Sequence, residues 1–293
     1  MIYANVGDDI DSIDDATANL ISTLKGFGTE GNTTVKQVER IVDIFNKLGN
    51  STSISSGKLG ESLQNSSAVL AEANNSLAES AALTVGAYDV LQDASEVGNM
   101  WKTVSMRIRG AKTELQAAGE DTEDMAESTS KLREQVKAMT GFDIMASANE
   151  FKSTYDIIVG IGEVWERLED IEQASLLELL AGKNRGNALA AALNNVDAIK
   201  EAYEMAADSA GSATAEYNVY EESIEAHAKR MEASVQGLSK ALVSEDLITT
   251  GYDAVTGILD VVTKLAETFG SLPTLITAAA TAMTLFTGKG RSM

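Results

Sequence analysis

A single proline, Pro273, stands in 293 residues, where ordinary usage runs at about 5%. Proline removes a backbone donor and clashes with the preceding turn. A chain nearly free of it can therefore run helix after helix without interruption. The apolar residues are spaced to use that freedom. Val35, Val38, Ile41, Val42, Phe45 and Leu48 fall at steps of three and four, which predicts a helix over residues 33–48. Gly49 is expected to end it and to leave Asn50–Ser56 as a loop. The next helix carries Leu59, Leu63 and Leu70. A further one starts at Ser76 with Glu79 three residues on, the spacing of a capping box, and buries Leu77, Ala81, Tyr88 and Leu91.

Val97, Met100, Trp101, Val104, Ile108, Ala111 and Leu115 make the best-patterned stripe in the chain. The acidic run Gly119–Ser128 then reads as exposed, and Leu132, Val136 and Met139 mark a short helix ending at Gly141. Phe151, Tyr155, Ile158, Gly162, Trp165 and Leu168 line another. Asp170 is placed to cap the one after it, with Leu176, Leu177 and Leu180. Gly182–Asn187 reads as a basic turn before a helix through Leu189 and Leu193. From Ala213 to Val243, Tyr217, Tyr220, Ile224, His227, Met231, Ser234, Leu238 and Ala241 alternate in steps of three and four, a coiled-coil seam. A last amphipathic helix covers about 246–269. No alternating stretch of useful length predicts a strand, so the expected class is all-α. The expected organisation is a compact unit of short helices and hairpins over 1–210, long amphipathic, coiled-coil-like helices over 211–270, and a short hydrophobic helix over 271–293.

Charge narrows the function. With 44 acidic and 23 basic residues the net charge is −21, a field that repels phosphate backbones, so specific nucleic-acid binding is not expected. Cysteine is absent, which removes disulfides, thiolate metal sites and a cysteine nucleophile. Residues 1–15 are acidic where a signal peptide would be basic. Leu272–Thr287 resembles a membrane segment, but its 16 residues include Pro273 and five threonines and fall short of the roughly 20 needed to span.

The search for chemistry is mostly negative. His227 is the lone histidine and sits in the seam helix, where packing explains it. Neither HExxH nor paired histidines occur, so no zinc site is expected. Glu120, Asp121, Glu123 and Asp124, like Asp8, Asp9, Asp11, Asp14 and Asp15, read as solvated faces rather than a hydrolytic pair, and the run from Asp8 lacks the marks of an EF-hand. Gly182, Lys183 and Gly186 look faintly like a phosphate loop without its spacing. Arg107, Arg109 and Lys112 form the densest basic cluster, placed to pair with nearby carboxylates. No catalytic, cofactor or metal residue is assigned, and an enzyme is not expected.

Several segments are nevertheless distinctive: Val104–Leu115 (VSMRIRGAKTEL), Gly119–Leu132, Phe151–Tyr155 (FKSTY), Leu177–Asn187 (LELLAGKNRGN), Ser209–Ser212, and upstream Asn50–Ser56 and Asn74–Ser80 (NNSLAES). Together they resemble the tape-measure proteins of tailed phages and prophages of Gram-positive bacteria, over nearly the whole chain. The resemblance implies a piece of a much longer polypeptide that lies in the tail lumen, sets tail length, and aids genome ejection. It also implies self-association of a few copies, contacts with tail tube, distal tail or tip proteins and assembly chaperones, and host-membrane contact through Leu272–Thr287. The implied locations are the virion tail lumen and, during assembly, the host cytoplasm. Two alternatives stay open: a membrane-active, pore-forming helical protein, and a tail-associated cell-wall hydrolase.

Overall fold

In the computed structural model of the chain, residues 13–27 and 34–219 are described. Among them every regular element is an α-helix. Extended pairing is confined to a single bridge between Met145 and Phe151. The order is α1 (Ile13–Phe27), α2 (Thr34–Ser51), α3 (Ser56–Glu72), α4 (Leu77–Leu91), α5 (Ala94–Ile108), α6 (Lys112–Ala117), α7 (Thr129–Thr140), α8 (Thr154–Trp165), α9 (Asp170–Asn194) and α10 (Val196–Ala207). A further helical stretch, 212–219, follows. The chain divides into two compact units, Met1–Tyr217 and Asn218–Met293, and all that follows concerns the first. Among the described residues no helix is long and apolar enough to cross a membrane.

The helix starts obey local rules. Ser55, Ser76, Asp93, Ser128 and Ser153 each accept a hydrogen bond from a backbone N–H in the first turn beyond them, satisfying donors that the helix itself leaves free. The Ser76–Glu79 capping box forms as its spacing predicts. Gly141, in the left-handed region, closes α7.

The core is organised around α4. Residues 77–88 are buried except for the half-buried Glu79, because α2, α3, α5, α9 and α10 all pack on it. Such a helix must be apolar or self-satisfied all round. Its small residues let neighbours come close, and its hydroxyls bond back along the helix: Ser80 Oγ donates to the Ser76 carbonyl and Thr84 Oγ1 to that of Ser80, both at 2.9 Å. Trp101, fully buried in α5, donates its indole N–H to the Leu83 carbonyl at 2.9 Å. Phe45, Leu63, Ile108, Ile158 and Leu189 fill the space around this centre.

Several expectations are corrected. Gly49 does not end its helix. It lies inside α2, and a Cβ there would strike Ser56 Oγ, so this glycine serves the close approach of the α3 N-terminus, where Ser56 Oγ donates to the Phe45 carbonyl at 2.9 Å. Val35 is 67% exposed, one turn ahead of the stripe that reaches the core. The stripe from Val97 to Leu115 is two helices, since the chain turns at Gly110, φ +72; Ala111 precedes α6 and only Leu115 of that helix is buried. The cap of α9 falls on Glu169, not Asp170, with the Glu169 N–H donating to the Glu172 carboxylate at 3.0 Å. The basic turn at 182–187 shrinks to a single non-helical residue, Gly182. The seam over 213–243 and the helices of 246–293 fall outside the described residues, apart from 213–219.

Candidate functional site

The most unusual side chain in the unit is a buried arginine. The last turn of α5 carries Arg107 inward, 3% exposed. Its guanidinium donates to three carbonyls: Nη1 to Asp121 at 2.8 Å, Nη2 to Glu178 at 2.9 Å and Nε to Leu179 at 3.2 Å. The acceptors explain the arrangement. Gly182 takes φ 70, ψ 176 inside α9, so the carbonyls at 178 and 179 lose the N–H partners that the next turn would supply. The planar fork of an arginine replaces them. Glycine is required at the bend twice over, because only glycine enters that backbone region freely and because a Cβ would lie 2.9 Å from Arg107 Nη1.

Carboxylates close around this guanidinium. Lys183 pairs with Asp124 at 2.9 Å and Arg185 with Glu120 at 3.1 Å; Glu120 also accepts from Thr103 Oγ1 at 3.2 Å. Glu120, Asp121 and Asp124 are half-buried, which corrects the reading of this acidic run as a solvated face. Burial pushes the Arg107 pKa down, and Asp121, Asp124, Glu120 and Glu178 oppose that shift. The bond between Lys183 and Asp124 holds the lysine above, and the aspartate below, their ordinary values. A cavity of about 150 Å³ beside the knot is lined by residues including Asn99, Lys102, Met106, Leu115, Glu120 and Arg185. Among the described residues no cluster of His, Asp and Glu side chains could hold a metal ion.

The remaining distinctive segments meet the same network. Asn74 Nδ2 donates to the Phe151 carbonyl at 2.9 Å, Ser153 Oγ to Glu79 Oε1 at 3.1 Å, and the Tyr155 N–H to Asn75 Oδ1 at 2.9 Å. Thus NNSLAES and FKSTY bind one another across the fold. Ser105 and Thr154 share a hydroxyl hydrogen bond of 2.9 Å, which joins the pair to α5. Arg109 lies over the Phe151 ring at 4.6 Å and donates to the Lys152 carbonyl at 3.2 Å. The basic cluster therefore splits three ways: Arg107 is buried on carbonyls, Arg109 rests on an aromatic ring, and Lys112 is exposed at the start of α6. The segment 209–212 is tied to α2, since the Gly211 and Ala213 N–H groups donate to the Asp43 carboxylate at 2.8 and 3.0 Å, and Ser212 Oγ bonds Asn46 Oδ1 at 2.5 Å.

Asp43, Asn46 and Glu79 belong to this network without having been singled out for it from the sequence. Asp43 carries a signal in hindsight, being a charge flanked by the buried Val42 and Ile44. Of the other residues considered, Gly186 is helical, and Asp14 and Asp15 lie in the first turn of α1. His227, Asp8, Asp9, Asp11 and Leu272–Thr287 fall outside the described residues. What the arrangement does chemically is to satisfy buried polar groups and fasten helix ends to one another.

No solved structure matches this chain. The family model for phage-related minor tail proteins matches residues 1–182, a stretch that holds Arg107, the carboxylates around it, the NNSLAES–FKSTY junction and the glycine of the bend. The chain belongs to the family of phage-related minor tail proteins, and its role is that of a structural component of the phage tail.

Proposed function

We propose that this minor tail protein is a segment of a tape-measure protein, and that residues 1–210 form a folded station along it while the measuring length is helical chain elsewhere. One observation supports this above others. The segments through which the chain resembles tape-measure proteins are the ones that bond to each other in a single unit: VSMRIRG, GEDTED, FKSTY, LELLAGKNRGN and NNSLAES. A ruler needs axial rise, and a straight helix supplies about 1.5 Å per residue with its backbone bonds satisfied internally. A bundle in which α4 is enclosed on all sides supplies little rise for its residue count. The stretch 211–270, whose apolar spacing reads as long helices, would suit the lumen of a tail tube, where a few copies would pack along their seams and contact the tube wall. The acidic surface keeps such a bundle from adhering to the DNA that passes later.

Tail length is the test. Duplicating residues 211–270 in frame within the phage genome adds 60 residues, or about 90 Å of helix. Tails measured by electron microscopy should lengthen by about that amount. Tails of unchanged length would overturn the reading of this region as part of a ruler.

A further inference from the structure

Helix α9 folds back on itself about one residue. Gly182 alone leaves helical geometry, so no loop separates the two arms. Trp165 shows how far the arms close. Its carbonyl accepts from Gln173 Nε2 at 2.8 Å, in the first arm, and its indole N–H donates to Asn194 Oδ1 at 2.9 Å, at the end of the second. In an uninterrupted helix those residues would stand about 32 Å apart, too far for both to reach one tryptophan. Apart from GKNRGN at the apex, which reads as a turn, the sequence between them suits a helix. It holds no proline, and leucine and alanine, both strong helix formers, fill much of it.

We propose that residues 170–194 are a helix stored in folded form, locked at its apex by Arg107 and at its open end by Trp165, which straightens through Gly182 into one rod about 37 Å long when the apex is released. Three things hold the bend. Arg107 satisfies the carbonyls that the bend exposes. The Lys183–Asp124 and Arg185–Glu120 pairs tie the start of the second arm to the acidic loop. Leu176, Leu180, Leu189 and Leu193 are buried against the rest of the unit. The straight form uncovers those leucines, so it persists where other helices pack alongside it. Only Gly182 must change conformation, and in a helical backbone its N–H and that of Lys183 again serve the carbonyls of Glu178 and Leu179. The lock and the straight helix thus compete for the same acceptors.

The chain has no cysteine, so paired spin labels go only where they are placed. Ile171→Cys and Asp197→Cys put them at exposed positions beyond the two ends of the Trp165 clamp. Dipolar spectroscopy on the otherwise native chain should show one short distance. Adding Gly182→Ala denies the bend its backbone conformation and drives a Cβ toward Arg107. The expected result is a narrow population beyond about 35 Å, with helical circular dichroism retained. Leu63→Ala, which damages the core on α3 and leaves both arms and the hinge alone, should not produce it. Gly182→Ala retaining only the short distance would overturn the proposal, as would a broad distribution that Leu63→Ala reproduces.

Discussion

Replacing Arg107 by methionine tests the polar knot most sharply, because methionine keeps most of the aliphatic bulk and removes every donor. Three carbonyls then lose their partner, at 2.8, 2.9 and 3.2 Å. The Asp121 carbonyl sits in a loop that water can reach. The Glu178 and Leu179 carbonyls belong to a bend packed against α5, and each unsatisfied acceptor costs about 1–3 kcal/mol. The carboxylates of Glu120, Asp121, Asp124 and Glu178 also lose a compensating charge, as when one partner of a buried pair is removed, which costs about 3–5 kcal/mol. Since the two sums describe the same event, about 3–5 kcal/mol is the expected loss. Arg107→Lys keeps the charge but cannot fork to three acceptors, so it should recover about half of that. Urea unfolding followed by circular dichroism reads both variants, and the thermal midpoint of Arg107→Met should fall on the order of 10 °C for a unit of this size. If Arg107→Met costs less than about 1 kcal/mol, within the range of ordinary surface substitutions, the knot is not what holds the bend. If lysine and methionine cost the same, charge and fork geometry are not what matters at this position.

Other outcomes follow from single contacts. A Cβ at Gly86 would strike Ile199 Cγ1, so Gly86→Ala should destabilise the α4–α10 packing by about 1–3 kcal/mol; combined with Ile199→Ala, the two losses should sum to less than their separate values in a double-mutant cycle. Asp143 accepts from Arg133 at 2.7 and 2.6 Å, and these bonds, then the Met145 N–H, hold its carboxyl well below the usual carboxylate range. A depressed folded pKa gives stability that is complete above about pH 4 and is lost as pH falls toward the folded value. Asp143→Asn should therefore lower the urea midpoint at pH 7 and lose less than the native chain between pH 7 and pH 3. Burial pushes the Tyr155 phenol up to about 12, so its contribution is complete below about pH 10 and lost as pH rises through the folded value. Tyr155→Phe should flatten the decline in stability over that alkaline window, and ultraviolet titration should lose one late-titrating phenol.

Helix existence was legible because each α-helix needs only a local apolar stripe and a cap, and both are short-range properties. Leu59, Leu63 and Leu70, or Ser76 with Glu79, needed no tertiary information. One failure came where glycine was read as a stop. Gly49 sits inside its helix because a neighbour comes too close for a Cβ, and proximity of that kind is invisible in one dimension. The knot was illegible for a related reason. Arg107, Glu120, Asp124, Lys183 and Arg185 are far apart in sequence and each looks like ordinary surface polarity. Only the fold shows that α9 breaks beside α5 and leaves carbonyls for an arginine to satisfy. The resemblance had singled out the segments carrying these residues, while Asp43 and Asn46, which bond the segment 211–213, lay on an otherwise unremarked helix surface.

The central claim is the proposal that the compact helical unit of this minor tail protein is a folded station inside the tail tube. Cryo-electron microscopy of assembled tails, with this chain in its native phage, measures that directly. The account predicts density for the unit at one axial position inside the tube, fitted by the bundle around α4 with the Arg107 bend recognisable. A lumen with no such density, or the unit found on the outer surface of the tail, would contradict it.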